Sequence, residues 1–299
     1  MGAMQLPVQI TTCQHAGHAA LKLSTRHGTA ILALHGAHLL SWAPTGQHDV
    51  FWLSPDAQPE PAPIRGGVPI CWPWFARQGM PDSALQHGPA RVNPWEISAI
   101  HASNDDEVSL SLQPGAQADG AATSLAALAP GLQLDVRITL NQTLSQTLHT
   151  RNLGSHTFAL TQALHNYFAV GDAAGVSMDG LEGLHYQDKL RGMAPDVQRA
   201  PFAFDRACDR IYHHPGAAQH ARYTLHDRAW QRRIVVETQG SQSVVVWNPG
   251  SEGARNISDL PEDDWRDFFC VEAANAGPDV IALASGAEHS LGQTLSVLF

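Results

Sequence analysis

The chain has 299 residues, of which 43% are hydrophobic and only 15% are charged. A chain of this length buries about three-quarters of its unfolded surface, and this composition is typical of a folded protein rather than a disordered one. The formal net charge is -10, which disfavours binding to nucleic acid or to an anionic membrane. An anionic ligand would therefore have to be held by a few locally placed arginines.

The four cysteines are far apart and show no C-x-x-C spacing. This pattern indicates a reduced protein without a zinc knuckle. The N-terminus does not resemble a signal peptide, and no apolar run approaches the roughly 18 residues of a membrane span. We therefore expect a cytoplasmic protein.

Alternating apolar and polar residues predict a series of short β-strands. In the first half of the chain these strands cover residues 19–24, 30–34, 37–42, 95–100 and 108–112. The clearest strand is Leu132–Leu140, in which apolar residues share one face and polar residues share the other. This pattern is typical of an antiparallel sheet with one covered face.

The second half of the chain continues in the same way. Residues 143–152 and 158–168 read as strands, and residues 230–236 and 243–248 predict a hairpin across Gly240. More than a dozen strands with hardly any helix predict an all-β fold, a large antiparallel β-sandwich. We expect one domain over residues 1–299, without an internal repeat.

The segment Arg65–Phe75 combines an arginine, two glycines and three aromatic residues. Adjacent glycines allow close approach of the backbone, and aromatic side chains, including Trp74, supply flat apolar faces of the kind on which sugars stack. A packed β-corner with a surface arginine is the alternative. The loop His87–Arg91 follows, where His87 is either functional or simply solvated.

The segment Phe268–Asn275 carries a single carboxylate, Glu272, among apolar and small residues. A strand that turned Glu272 inward would remove the carboxylate from water and raise its pKa, as a general base at neutral pH requires. A glutamate that faces solvent is the alternative. His165, on an apolar strand, presents a similar choice, because a buried imidazole needs partners for both nitrogens.

Six motifs, RGGVPICWPWF, HGPAR, ALHNYF, DRIY, VVWNP and FFCVEAAN, occur in this order. Together they resemble the hexose-6-phosphate mutarotases, the glucose-6-phosphate 1-epimerase branch of the aldose 1-epimerase family. The resemblance covers Ala30–Phe299, with residues 1–29 matched weakly. It implies a galactose-mutarotase-like sandwich and an enzyme, an isomerase, that interconverts the α and β anomers of a sugar 6-phosphate, glucose 6-phosphate above all, in a cleft without cofactor or metal.

The resemblance also assigns roles to residues. Glu272 matches the general base and His165 the general acid, which together would open and reclose the sugar ring. His87 and Asp209 match residues that hold and polarise the sugar, and we expect Asp209 to lie beside His165 and favour its charged form.

Two arginines, Arg65 and Arg91, match the substrate and phosphate site, and Arg77 is a weaker candidate. The guanidinium group suits a phosphate because it binds two oxygens at once. The chain departs from the family pattern at Pro89, where an aromatic residue is usual, and at Gly250, where a tryptophan often follows Asn-Pro. We expect a monomer that binds a small sugar phosphate.

Three alternatives stay open at this point. A large β-sandwich with tryptophans also fits a carbohydrate-binding module without catalysis. The same chemistry could act on a neutral aldose such as galactose. A glycoside hydrolase could use Glu272 and Asp209 as its carboxylate pair.

Overall fold

The computed structural model describes residues 6–116, 124–216 and 220–299. Its strands are, in chain order, β1 Ile10–His15, β2 His18–Thr25, β3 Gly28–Ala33, β4 His38–Pro44, β5 Ile70–Cys71, β6 Trp95–Ser103, β7 Val108–Pro114, β8 Leu132–Leu140, β9 Leu144–Asn152, β10 Phe158–Leu160, β11 Gln162–Leu164, β12 Tyr167–Ala169, β13 Val176–Asp179, β14 His185–Asp188, β15 Ala194–Val197, β16 Phe202–Ala203, β17 Cys208–His213, β18 His220–Asp227, β19 Arg232–Gln239, β20 Ser243–Asn248, β21 Phe268–Asn275, β22 Ile281–Leu283 and β23 Glu288–Leu298. The helices are short: α1 Leu125–Leu128, α2 Gly250–Ala254, and the 3-10 turns Ala90–Val92, Ala173–Gly175, Lys189–Arg191 and Asp264–Arg266. The predicted all-β class is confirmed.

Two large antiparallel sheets dominate the fold. One has nine strands in the order β16-β13-β18-β19-β23-β9-β8-β7-β6. The other has eight strands, β15-β14-β17-β20-β21-β11-β5 with β12 also paired to β21. β21 packs against β19 and β23, so the two sheets face each other as in a sandwich. Strands β1 to β4 form a separate sheet, and β10 pairs with β22.

The central strand β21 is buried along its whole length, so both faces of the eight-stranded sheet are covered at this point. Successive side chains of a strand point to opposite faces. Phe269 and Val271 belong to the large core shared with the nine-stranded sheet. Cys270 and Glu272 therefore lie on the other face, away from the large core.

The predicted hairpin across Gly240 is wrong. β19 pairs with β18 and β23 in the nine-stranded sheet, whereas β20 pairs with β17 and β21 in the eight-stranded sheet. The chain thus crosses between the two sheets near Gly240, where an added Cβ would lie 1.9 Å from the carbonyl oxygen of Ser290. Strand periodicity and a glycine turn look the same in a hairpin and in such a crossover.

β11 and β12 pair with β21 in one continuous register, interrupted only by His165 and Asn166. These two residues stand opposite Glu272 and Val271. The Asn166 side chain donates to the Val271 carbonyl at 2.8 Å and so satisfies an acceptor in the gap between the two short strands. The amides of Asn166 and Gln293, from β23, bond reciprocally at 2.7 and 2.8 Å.

We expect Gln293→Leu to lower the free energy of unfolding by about 1–3 kcal/mol. The substitution removes the hydrogen bonds that the side-chain N–H and carbonyl oxygen of the buried Asn166 make with Gln293. Urea denaturation of the purified variant measures this change.

Gln146→Leu is the matched control. Gln146 is 1% exposed, and neither atom of its amide makes a hydrogen bond to the described residues. Its replacement by leucine should therefore be neutral or stabilising. Equal losses in the two variants would contradict the structural role given to the Asn166–Gln293 pair.

Candidate active site

A cavity of about 340 Å³ lies on the face of the eight-stranded sheet that is turned away from the large core. Its lining combines sheet residues with residues from the surrounding loops. The ionisable side chains in this lining include Arg65, His87, His165, Lys189, Asp209 and Glu272. The structure therefore brings together residues that are up to about 200 positions apart in the chain.

The strand register explains why the sheet residues meet. Asp209 of β17 stands opposite Trp247 of β20, which stands opposite Cys270 of β21. Tyr167 of β12 completes this row on the other side of Cys270. Because directly paired residues share a face, the row lies on the same face as Glu272, two residues further along β21.

Glu272 and His165 contact each other at the base of the cavity. The His165 Nε2 atom lies 3.3 Å from Oε1 of Glu272. Glu272 is 1% exposed and His165 is 8% exposed, so of the two alternatives for Glu272 the structure shows the inward-facing one. The His165 ring stacks on Tyr167 at a centroid distance of 4.8 Å and an interplanar angle of 9°. Glu272 Oε2 and His165 Nδ1 make no hydrogen bond to the described residues.

Burial shifts the pKa values of Glu272 and His165 in opposite directions. It raises the pKa of Glu272 well above its ordinary value, an effect that the nearby charge of Lys189 partly offsets. It lowers the pKa of His165 well below its ordinary value, and the positive charges of Arg65 and Arg91 lower it further. Desolvation thus disfavours the charged form of both groups in the unliganded cavity.

Asp209 does not act on His165 as expected. Its carboxylate pairs with the Lys189 ammonium at 3.2 Å, and this ion pair lies at the ends of β17 and β14. Burial raises the pKa of Asp209 while Lys189 lowers it. Lys189 also lies over the Phe75 ring, 5.2 Å from its centroid. Asp209 therefore forms an ion pair with Lys189 and not, as the sequence predicted, with His165.

Arg65 is held on two sides. Its Nε and Nη2 atoms lie 3.1 and 3.0 Å from Oδ1 of Asp259, and Nη1 donates to the Tyr167 hydroxyl at 3.0 Å. These bonds fix the guanidinium group beside the stacked Tyr167 and His165 rings, which preorganises it for an anionic ligand.

The two glycines after Arg65 allow the backbone to pack closely against neighbouring segments. Gly66 and Gly67 have φ values of 105° and 60°, and added Cβ atoms would lie 2.5 Å from the Trp52 carbonyl oxygen and 2.2 Å from the Leu39 carbonyl oxygen. The close backbone approach predicted from the sequence is therefore made to neighbouring segments of the same chain, and it places Arg65 at the cavity.

His87 reaches the cavity from a loop. Its backbone has a φ of 63°, and its Nδ1 atom accepts a hydrogen bond from the backbone N–H of Ala76 at 3.2 Å. This bond leaves Nε2 as the protonated nitrogen of the neutral ring. Burial and the charge of Arg91 lower the pKa of His87 well below its ordinary value. His87 can thus donate a hydrogen bond without carrying a charge.

Three of the sequence candidates, all within the described residues, do not line the cavity: Trp74, Arg77 and Arg91. Trp74 is 2% exposed and its indole donates to the Leu85 carbonyl at 2.7 Å. Arg91 stands behind Gln86, to whose carbonyl it donates at 2.9 Å, yet its charge is close enough to lower the pKa of His165. Trp247, rather than Trp74, offers an aromatic ring to the cavity.

Several lining residues were not singled out by the sequence, and the most important of them are Tyr167, Lys189, Trp247 and Asp259. Tyr167 and Trp247 lie within motifs that carry the family resemblance, and their alternation with His165 and Val245 along a strand could have indicated a shared face. Lys189 and Asp259 lie in loops without a recognisable pattern, so only the fold reveals them.

Within residues 6–116, 124–216 and 220–299, no cluster of His, Cys, Asp and Glu has the arrangement of a metal site. Nor does any helix of this described part combine the length and hydrophobicity that a membrane crossing requires.

Comparison with known proteins places these features in a family. The aldose 1-epimerase family model matches residues 20–296. A protein from Salmonella typhimurium named "Putative glucose-6-phosphate 1-epimerase" is 38% identical over 256 residues, which cover 83% of this chain and 80% of that protein. A protein of the same name from Escherichia coli is 36% identical over 253 residues, with the same coverage.

A solved structure agrees with the sequence comparisons. The crystal structure of a "putative mutarotase" from Salmonella typhimurium superimposes with a TM-score of 0.85 at 32% identity, covering 98% of this chain and 95% of that one. The predicted sandwich and the predicted enzyme class, an isomerase, are confirmed. The chain belongs to the aldose 1-epimerase family.

Proposed function

We propose that this protein interconverts the α and β anomers of hexose 6-phosphates, with glucose 6-phosphate as the substrate. The observation that carries the proposal is the buried contact between Glu272 and His165, 3.3 Å apart in a cavity that also holds Arg65 and Lys189. The names of the relatives from Salmonella typhimurium and Escherichia coli support the same substrate.

Interconversion of the anomers needs a proton acceptor at O1 and a proton donor at the ring oxygen O5, both of which are bonded to C1. Glu272 as carboxylate takes the proton from O1 while His165 as imidazolium gives a proton to the ring oxygen, and the C1–O5 bond breaks to an open-chain aldehyde. Rotation about C1–C2 presents the other face of the carbonyl. Reclosure reverses both transfers, so neither residue is consumed.

The close pairing of these two groups suits this exchange. A carboxylic acid beside a neutral imidazole differs from a carboxylate beside an imidazolium by the transfer of one proton along the Glu272–His165 contact. The side chains that must act on neighbouring oxygens of the sugar are therefore already neighbours in the unliganded site. His87 would donate its Nε2–H to a sugar oxygen on which negative charge develops.

The phosphate would bind at Arg65. Its bonds to Asp259 and Tyr167 leave one N–H on each terminal nitrogen available, which is the bidentate arrangement that a phosphate favours. Ser258, next to Asp259 in the chain, also lines the cavity and would supply a hydroxyl. The ion pair of Lys189 and Asp209 would bind the sugar hydroxyls on another side.

We also propose a single-domain monomer that acts in the cytoplasm. The family model spans nearly the whole chain, and residues of one chain line the cavity. All four cysteines are free, and a net charge of -10 offers no attraction for nucleic acid.

Glu272→Gln and His165→Gln should each lower kcat/KM for glucose 6-phosphate by about 10²–10⁴-fold, since each removes one proton transfer. Polarimetry of freshly dissolved α-glucose 6-phosphate, corrected for the spontaneous reaction, measures the loss. Lys22→Gln, a change in β2 outside the cavity, controls for the preparation. Near-normal rates in either active-site variant would rule out its role.

A panel of α-glucose 6-phosphate, α-glucose and α-galactose tests the substrate class. We expect fast conversion of the phosphate and little of the neutral sugars, because Arg65 is used only by the phosphate. Comparable rates on all three sugars would instead favour a general aldose epimerase, and no acceleration of any of them would favour a carbohydrate-binding protein.

The pH profile tests the base. The raised pKa of Glu272 places the acid limb of kcat/KM above the pH expected for an ordinary glutamate, whose pKa is 4.5. Lys189→Met removes a positive charge that favours the carboxylate form of Glu272. As the pH falls, this variant should therefore lose activity at a higher pH than the wild type does, whereas Lys189→Arg should keep the wild-type acid limb. An unchanged limb in Lys189→Met would show that Glu272 does not set it.

A further inference from the structure

Most of the fixed charges around the cavity are paired before any ligand binds. Arg65 pairs with Asp259, and Lys189 pairs with Asp209. Arg91 has no ion pair with a described residue, and burial favours the neutral form of Glu272, so at most one positive charge is left over. A phosphate dianion that enters the cavity brings two negative charges and therefore adds at least one that the fixed groups do not compensate.

Arg65 is the cation best placed to transmit the effect of a bound phosphate to His165, the proposed acid. Its Nη1 atom donates to the Tyr167 hydroxyl at 3.0 Å, and the Tyr167 ring stacks on His165 at 4.8 Å. Of the surrounding cations, Arg65 has the largest effect in lowering the pKa of His165. Arg65 has no corresponding effect among those that shift the pKa of Glu272, which responds to Lys189 and Asp209.

We propose that a phosphate dianion bound at Arg65 converts His165 from a neutral imidazole into the imidazolium that protonates the ring oxygen. This inference rests on the proposed function and deepens it. The phosphate then activates the acid as well as holding the sugar. A neutral sugar in the same cavity adds no negative charge beside Arg65, so His165 stays neutral and ring opening lacks its acid.

The groups that face His165 support this direction. The ionisable groups that contact or act on it from the surrounding segments are Arg65, Tyr167, His87, Arg91, Lys189 and Glu272. The three cations oppose its protonation, and only Glu272 is an anion. Since His165 Nδ1 makes no hydrogen bond to the described residues, no second carboxylate holds the ring in its charged form. A bound dianion would be the missing negative charge.

The test uses NMR of the His165 imidazole nitrogens in the full-length protein. The probes are 1-deoxyglucose 6-phosphate, which cannot react because it lacks O1, and 1-deoxyglucose as its neutral counterpart. We expect the phosphate probe to raise the pKa of His165 by about 1 to 3, as a nearby opposite charge does. The neutral probe should leave the pKa near that of the unliganded protein. An imidazole that stays neutral with the phosphate bound would overturn the proposal.

A variant tests the same idea without a phosphate. Arg65→Gln removes the opposing charge, so it should raise the pKa of His165 in the unliganded protein and increase kcat/KM on neutral glucose by about tenfold for each pKa unit gained. For glucose 6-phosphate the same variant should show a higher KM. Arg65→Lys, which keeps the charge, should not show this gain on glucose.

These outcomes distinguish a failure of the activation proposal from a failure of the proposed function. If Arg65 only anchored the phosphate, Arg65→Gln would raise KM for glucose 6-phosphate and leave the rate on glucose unchanged, which would overturn the activation proposal alone. If the wild type fails to accelerate α-glucose 6-phosphate, the proposed function itself fails. Arg222→Gln, a change of an exposed residue in β18 of the nine-stranded sheet, should alter neither reaction.

Discussion

The contact between Glu272 and His165 depends on one feature of the eight-stranded sheet, the interruption between β11 and β12 opposite the middle of β21. A continuous strand at this point would hold His165 in the ladder. Instead its backbone N–H donates to the Pro69 carbonyl at 3.1 Å, and the side chain of Asn166 bonds the Val271 carbonyl of β21. His165 therefore lies between the two short strands but is still fixed opposite Glu272, so the contact between the two side chains follows from the sheet's own register.

The two faces of the same sheet have separate tasks. One face supplies Val244, Val246 and Phe269 to the large core, and this packing holds β20 and β21 rigidly. The other face carries Trp247 and Glu272 into the cavity. A side chain on a central, fully covered strand has little freedom to move, which is how a single carboxylate can be kept both desolvated and correctly placed.

Segments outside the strands supply the cations Arg65 and Lys189, and the eight-stranded sheet positions the pair that we propose for proton transfer. Arg65 and Lys189 each meet an aspartate in the unliganded site, so neither cation is buried without a partner. These ion pairs neutralise most of the fixed charge around the cavity, and we therefore expect an anionic ligand to change the electrostatic potential at the nearby imidazoles. Recognition of charge and readiness for proton transfer are thus linked through Arg65, Tyr167 and His165, three side chains in direct contact.

The sequence alone determined the all-β class and the bounds of strands such as Leu132–Leu140 and Ser243–Asn248, and it predicted Glu272 and His165 as a catalytic pair, two side chains that the fold brings into contact. These follow from period-two patterning and from motifs whose order is specific to a family. It did not separate a hairpin from a crossover between sheets at Gly240, because both need the same local turn.

Only the tertiary structure decided which charges meet. Asp209 contacts Lys189 rather than His165, Arg91 lies behind Gln86, and Trp247 replaces Trp74 at the cavity. Lys189 and Asp259 come from loops whose position depends on how the two sheets pack, and no local pattern encodes that position. The pKa values of the reacting pair depend on burial and on these neighbours, so they too are properties of the folded chain.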